Sequence, residues 1–397
     1  MENDTDHLLQ QEHAAMPKTT TEEFSRLEFV KRLKFHLATK VAPGNRLAYE
    51  VNVLPRLRTE AGREPADHHE VRRGMADEPY FRFWSALQRN SQEMMWKASQ
   101  LPIERQASTT PGPAATERPA AAARPPLGTL QLDPTLEIPR YHRAVDIHCM
   151  PGGYHTEFTE DDASNGGVYD RAVHVYAMGR MGPLNSDIGD STIAYLKQNF
   201  PALRPLRILD LGCTVGHSTL PYVDAYPGSE VYAIDVGAPV LRYAHSRAEA
   251  LGKKVHFSQQ NAEKTNFPDG HFDLIVSHIL VHETSKVAIR NIMRECRRLL
   301  GKGGVAIHTE TPPYRQLKPF DAFMLDWDTR NNNEPFWGAS HEIQPAQIAL
   351  ESGFDPEKAF EGVQPSVFDA VESRRTRVFQ GGDFGGAGSW YVWGVRN

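Results

Sequence analysis

The chain is poor in cysteine, with three in 397 residues. Cys149, Cys213 and Cys296 are far apart and form no C-x-x-C pair. That pattern supports neither a disulfide framework nor a thiolate zinc site, and it fits a reducing cytoplasm. Long apolar runs are missing too. No stretch reaches the roughly 20 residues of a membrane helix, and the polar, acidic residues 1–21 lack the apolar core of a signal peptide. No membrane partner is expected. Basic strings are also absent: 44 Lys and Arg stand against 50 Asp and Glu, for a formal net charge of −6. Without a basic stripe nothing supplies the field that neutralises phosphates, so nucleic acid is disfavoured and a small molecule is the expected partner.

What is present centres on Ile208-Leu209-Asp210-Leu211-Gly212-Cys213-Thr214-Val215-Gly216-His217, an apolar strand ending in an acid and followed by a glycine turn. Gly212 and Gly216 let the backbone turn sharply and approach a ligand. The dinucleotide fingerprint G-x-G-x-x-G is not met, because Gly212, Thr214 and Gly216 fall at alternate positions. Asp210 would repel a pyrophosphate but attract an ammonium group, which favours S-adenosylmethionine over NAD. Val231–Asp235 reads as a second strand, and Asp235 at its end can bind both ribose hydroxyls. A helix follows from Pro239 to Leu251, then strand Val255–Ser258 leading to Asn261, placed for an adenine edge. Phe272–His278 is a fourth strand, Val287–Leu300 a helix and Gly303–His308 a fifth strand.

Residues from about 200 to 312 thus resemble the core of the class I S-adenosylmethionine-dependent methyltransferases, in particular the small-molecule branch that includes ubiquinone-biosynthesis methyltransferases. Thr214 stands where the middle glycine of that family's first motif usually is. The resemblance implies an α/β fold, a Rossmann-like seven-stranded methyltransferase sheet with helices on both faces. It implies a cofactor set of Asp210, Gly212, Cys213, Thr214, Gly216, Asp235, Val236, Asn261, Ala262 and Ser277, with Ser277 beside the methionine portion. Gly303 and Gly304 match the turn before strand five.

Methyl transfer needs alignment and, for some acceptors, removal of a proton. Ser277 to Thr284 puts His278 and His282 past strand four, where His282 is expected to face substrate and His278 to lie near the cofactor or act as a second base. Glu283 could orient an imidazole. The two histidines are four apart, as metal ligands on a helix can be, but no third ligand is fixed and no metal is assigned. Tyr154 and His155, in the loop Met150–His155, are candidates for substrate contact. So are Trp327, Arg330 and Trp337 in the polar, aromatic segment 320–340, suited to a small polar acceptor. A competing reading is a non-catalytic or repurposed S-adenosylmethionine-binding protein, such as a regulatory subunit.

Composition divides the chain. Residues 107–128 are almost wholly Ala, Pro, Thr, Ser and Arg, which cannot bury a core. The expected organisation is a disordered tail over 1–21, a helical module over 22–102, a Pro/Ala-rich linker over 103–135 and the methyltransferase domain over 136–397. Leu27, Val30, Leu33 and Leu37 recur at helical spacing, and Tyr80, Phe81, Trp84 and Met95 mark a second helix after Pro79. The module is too small to be comfortable alone, so it is expected to cover the active site or to form a homodimer. Beyond the core, Pro345–Ser352 reads as a helix, and Lys358–Gly362 and Ser389–Val395 as the last strands, with glycines 381–388 turning the chain between them.

Overall fold

The computed structural model describes residues 9–109, 125–368 and 388–397; most of the 381–388 glycine cluster and the centre of the expected linker lie outside them. Eight strands form one sheet: β1 Thr129–Gln131, β2 Arg207–Leu211, β3 Glu230–Asp235, β4 His256–Gln259, β5 Phe272–His278, β6 Leu300–Glu310, β7 Ala359–Pro365 and β8 Ser389–Arg396. Their order is β1-β4-β3-β2-β5-β6-β8-β7. The first six are parallel, and β8 runs antiparallel to both β6 and β7. β2 and β5 are almost continuously buried apolar runs, as strands covered on both faces must be.

The expected count of seven strands is corrected to eight. The addition comes from the stretch read as linker, where Thr129 pairs with His256 and Gln131 with Ser258. Composition concealed it, because a three-residue edge strand carries almost no periodic signal. Gly128 permits the approach, since a Cβ there would strike the Val255 carbonyl. At its other end the linker is shortened by the helix Pro79–Thr109, which runs past residue 102.

Both faces are covered. On one, helices Asp187–Asn199 and Ala238–Ala250 contribute Ile193, Leu196, Leu241 and Ala244 to a core with Ile208, Val231 and Leu274. On the other, Lys286–Leu299 and Pro345–Glu351 pack Ile289, Ile292 and Ile348 on Leu209, Ile234 and Ile275. Ser285 caps the first of these by accepting the Ala288 N–H. Sheet order reverses between β2 and β5, so their carboxyl ends diverge and open a crevice.

The amino-terminal helices pack on this body. Thr21–His36 begins in a capping box of Thr20 and Glu23, and its buried Leu27 and Val30 join Met95, Trp96, Val168 and Tyr243. A second shared core unites Val53, Val71, Met75 and Trp84 with Phe320, Phe323, Met324 and Trp327. Arg46–Asp321 and Arg72–Asp326 ion pairs cross the same boundary. With its apolar faces shared in this way the module should not unfold separately. Trp84→Ala, which removes a ring with 1% exposure, is expected to cost about 3–5 kcal/mol. Calorimetry should show one cooperative transition, shifted down; a second transition appearing independently would contradict the shared core.

Candidate active site

The turn after β2 is built by backbone geometry. Gly212 and Gly216 have φ of 71° and 78°, and Thr214 between them has φ 43°. A β-branched residue is uncommon in that region, which explains why a glycine is the usual occupant there. At Gly212 a Cβ would come within 2.6 Å of the Leu280 methyl, so a larger residue would have to displace that side chain as well as adopt a left-handed backbone. Asp235 stabilises the turn from β3: its carboxylate accepts the Thr214 N–H at 3.0 Å and the Gly237 N–H at 2.8 Å. Burial raises its pKa against those two bonds.

Around the turn lies a cleft of about 970 Å³, lined by Asp210, Gly212, Cys213, Thr214, Asp235, Val236, Asn261, Ala262 and His278, with Tyr141, Tyr154 and Tyr169 covering it. Asp210 accepts the Thr219 hydroxyl at 2.6 Å and lies 3.2 Å from His278 Nδ1. Asn261 uses its carbonyl oxygen on the Glu263 N–H. Gly216 shapes the turn without lining the cleft. Ser277 departs from expectation. It is fully buried and its hydroxyl pairs with His308 Nδ1 at 2.7 Å, because its position on β5 turns it into the sheet packing.

Asp170, on the helix Ser164–Tyr176, anchors the turn from behind. Its carboxylate, with 1% exposure, meets His217 Nε2 at 2.8 Å, the Tyr243 hydroxyl at 2.9 Å, His13 Nε2 at 3.0 Å and Arg247 Nε at 3.4 Å. Burial alone would raise its pKa, but Arg247, His217 and His13 hold it well below the usual carboxylate range.

A second chamber of about 660 Å³ adjoins the cleft and shares Tyr169, Val173, Met181, Ile188 and Ile279 with it. Its walls are mostly apolar and aromatic, and the helical module supplies Gln92, Met95 and Trp96. His282 lines this chamber from the short turn Val281–Glu283. Ile279, at φ 51°, bends the chain between the histidines, so His278 faces the cleft and His282 the chamber. They therefore do not form the shared helical face that their spacing allowed. Glu310 accepts from both His282 Nδ1 at 2.7 Å and the Val281 N–H at 2.8 Å. Burial opposes a charge on His282, yet Glu310, Glu334 and Glu283 raise its pKa. Glu283 pairs with the imidazole of His148, at 3.0 Å, and not with that of His278 or His282; it also accepts the Tyr154 hydroxyl at 2.9 Å.

The remaining substrate candidates divide. Tyr154 lines the cleft. His155 lies outside both cavities, beside His142. Trp327 is packed edge-on against Trp84 and donates to the Ser85 hydroxyl at 2.7 Å, because its helix faces the amino-terminal module. Arg330 is exposed on the outer side of that helix. Trp337 is fully buried and backs His282, ring centroids 4.7 Å apart. His148 and Glu334 were missed; 148 follows no motif, and Glu334 merely ends a run of asparagines.

Residues 208–304 match the family model of a methyltransferase domain. The chain is similar to the demethylmenaquinone methyltransferase of Thermus thermophilus, 35% identical over 109 residues, covering 28% of this chain and 49% of that protein. It also resembles a malonyl-[acyl-carrier protein] O-methyltransferase of Legionella pneumophila, 26% identical over 38% of this chain and 50% of that one. The chain thus spans about half the length of these curated relatives. Among solved structures, the phosphoethanolamine N-methyltransferase 2 of Haemonchus contortus in complex with S-adenosyl-L-methionine is 16% identical over 57% of each chain, with a TM-score of 0.40. Sheet order, glycine turn and family match agree on the class: residues 208–304 are a methyltransferase domain of the class I S-adenosylmethionine-dependent kind. S-adenosylmethionine is the cofactor of that class, and the left-handed glycine turn with the buried Asp235 lining one cleft fits it.

Asp170→Asn should leave the buried Arg247 without its counter-charge and cost about 3–5 kcal/mol at neutral pH. A carboxylate depressed in the folded state stabilises fully above its unfolded pKa of about 3.9, and that contribution is lost as pH falls further. The variant's stability, followed by urea unfolding, should accordingly fall less steeply than the parent's below pH of about 4. Parallel acid limbs would remove Asp170 as the anchor.

Proposed function

We propose that the protein transfers the methyl group of S-adenosylmethionine to a small molecule held in the aromatic chamber, with the cleft as the cofactor site. The observation that carries this reading is the wall shared by the two cavities at Tyr169, Val173, Met181, Ile188 and Ile279. It lets a group in one reach a group in the other. When bound, the cofactor supplies a methyl already activated on a sulfonium, so no covalent intermediate with the protein is needed. The acceptor's lone pair forms the new bond to carbon as the carbon–sulfur bond breaks and its electron pair stays on sulfur.

The chain's own residues supply placement. Asp235 is set to accept from ribose hydroxyls and Asp210 to face the ammonium end, by charge and by position at adjacent strand ends. Tyr154 and Tyr169 pack across the cleft with ring centroids 5.4 Å apart and exclude solvent. In the chamber His282 is held by Glu310 through Nδ1, while Nε2 has no hydrogen-bond partner. A proton leaving a hydroxyl acceptor has this imidazole and its carboxylates within the same buried cluster. The lining favours a ring-bearing or otherwise apolar acceptor with a polar end, a less polar molecule than segment 320–340 suggested.

Isothermal titration with S-adenosylmethionine and with NADH tests the cofactor half. Binding of the first and not the second is expected, and Asp235→Ala should weaken it roughly 100-fold, the equivalent of a lost pair of charge-assisted bonds. The reverse preference would sink the reading. For the chamber, Ala172→Phe places a ring into a wall position with 0% exposure. It should leave S-adenosylmethionine affinity unchanged while eliminating saturable binding of the acceptor; loss of cofactor binding in this variant would mean that the chamber is not a separate subsite.

A further inference from the structure

Three side chains from distant parts of the sequence converge at the chamber: His148 from the loop before the helix Ser164–Tyr176, His282 from the turn after β5, and Glu334 from the asparagine-rich loop. One ligand-capable atom of each lies within 4.8 Å of the others. Glu334 is 1% exposed and His282 2%. Glu334 Oε1 sits 2.9 Å from His148 Nδ1, and Glu334 Oε2 sits 3.9 Å from His282 Nε2. Neither His282 Nε2 nor Glu334 Oε2 has a hydrogen-bond partner, although both are buried. A buried imidazole nitrogen and a buried carboxylate oxygen that face one another without a hydrogen bond are costly unless something between them is bound.

The other nitrogen of each imidazole is already assigned. His148 Nε2 is 3.0 Å from Glu283, and His282 Nδ1 is 2.7 Å from Glu310. A carboxylate on the far nitrogen is the arrangement that orients metal-ligating histidines and raises their basicity, and here both have it. His148 is held at φ 54° and Cys149 at φ 61°, backbone strain of the kind kept where a side chain must be aimed. Asn332 steadies the carboxylate, donating to Glu334 Oε1 at 2.8 Å and to Asp328 Oδ1 at 3.0 Å.

We propose that His148, His282 and Glu334 bind one divalent transition-metal cation of the zinc type, with its open side toward the aromatic chamber. Two neutral imidazoles and one carboxylate are a donor set used for zinc and for iron(II), and three protein ligands leave a coordination position for an exogenous donor. This inference rests on the chamber being the acceptor site. In that setting the open position takes an oxygen anion of the acceptor, and the cation, in place of a free His282 imidazole, favours its deprotonated form. The proton leaves to solvent or to a neighbouring carboxylate, and no electrons are exchanged.

The test is cobalt(II) titration of the full-length chain after dialysis against chelator, followed by ligand-field absorption. One equivalent should bind with the intense bands of a four-coordinate site. Glu334→Gln should abolish that signal, and Glu310→Gln, which replaces the carboxylate on the far nitrogen of His282 while its amide oxygen can still accept the Val281 N–H, should weaken affinity about 10–100-fold. Azide added to the cobalt-loaded chain should shift the bands through the open position. S-adenosylmethionine titrated into the same preparations checks that each variant is folded, and its binding should persist. Absent bands, or bands undiminished in Glu334→Gln, with S-adenosylmethionine binding intact, would overturn the metal site and leave the proposed methyl transfer standing. Bands insensitive to azide would overturn the open position.

Discussion

Much of the molecule is referred to one buried carboxylate. Asp170 joins the glycine turn through His217, the helix Ala238–Ala250 through Tyr243 and Arg247, and the amino-terminal segment through His13. Removing such a charge from water is expensive, and it is tolerated because cationic and hydrogen-bonding partners surround it. The result is geometric. The cofactor turn, the helix that follows β3 and the cover over both share one fixed point, so the cleft's floor and roof are set together.

That coupling gives the helical module a purpose that size alone does not. Gln92, Met95 and Trp96 complete the chamber wall. Lys34, fully enclosed, donates to Gln92 at 2.8 Å and lies 5.2 Å from the Tyr176 ring centroid, and burial pulls its pKa down to about 7. The module thus lines the chamber and also shares the core, through Trp84 and its neighbours.

Legibility in the sequence followed the range of the forces involved. β5 was read at its observed limits, and the helix after it within a residue, because a fully buried strand and an amphipathic helix declare themselves locally. The lining of the cleft was legible for a related reason: Asp210, Asp235 and Asn261 stand at or just past strand ends, whose positions in a parallel sheet are dictated by topology. Ser277 failed there because a residue's place along a strand does not say which face it takes. The chamber was mostly hidden. His148, His282 and Glu334 are brought together by tertiary packing alone, and Trp327 and Arg330 have suitable chemistry on a helix whose faces turn to the module and to solvent. Nothing local records which way such a helix is rotated.

The three-residue strand β1 has a bearing on where the chain can be divided. It covers the outer edge of β4, and at the opposite end of the sheet β7 closes with Pro365, a residue that cannot extend a ladder. Cutting at the boundary that composition suggests, near residue 135, would strip β1 away and bare a row of unpaired N–H and C=O groups along β4. Such a fragment would keep every motif of the methyltransferase core and yet carry an open template for edge-to-edge aggregation. The far end of the expected linker is therefore a poor guide to the fold's own border, which lies at least as far back as Gly128, where the low-complexity stretch itself ends.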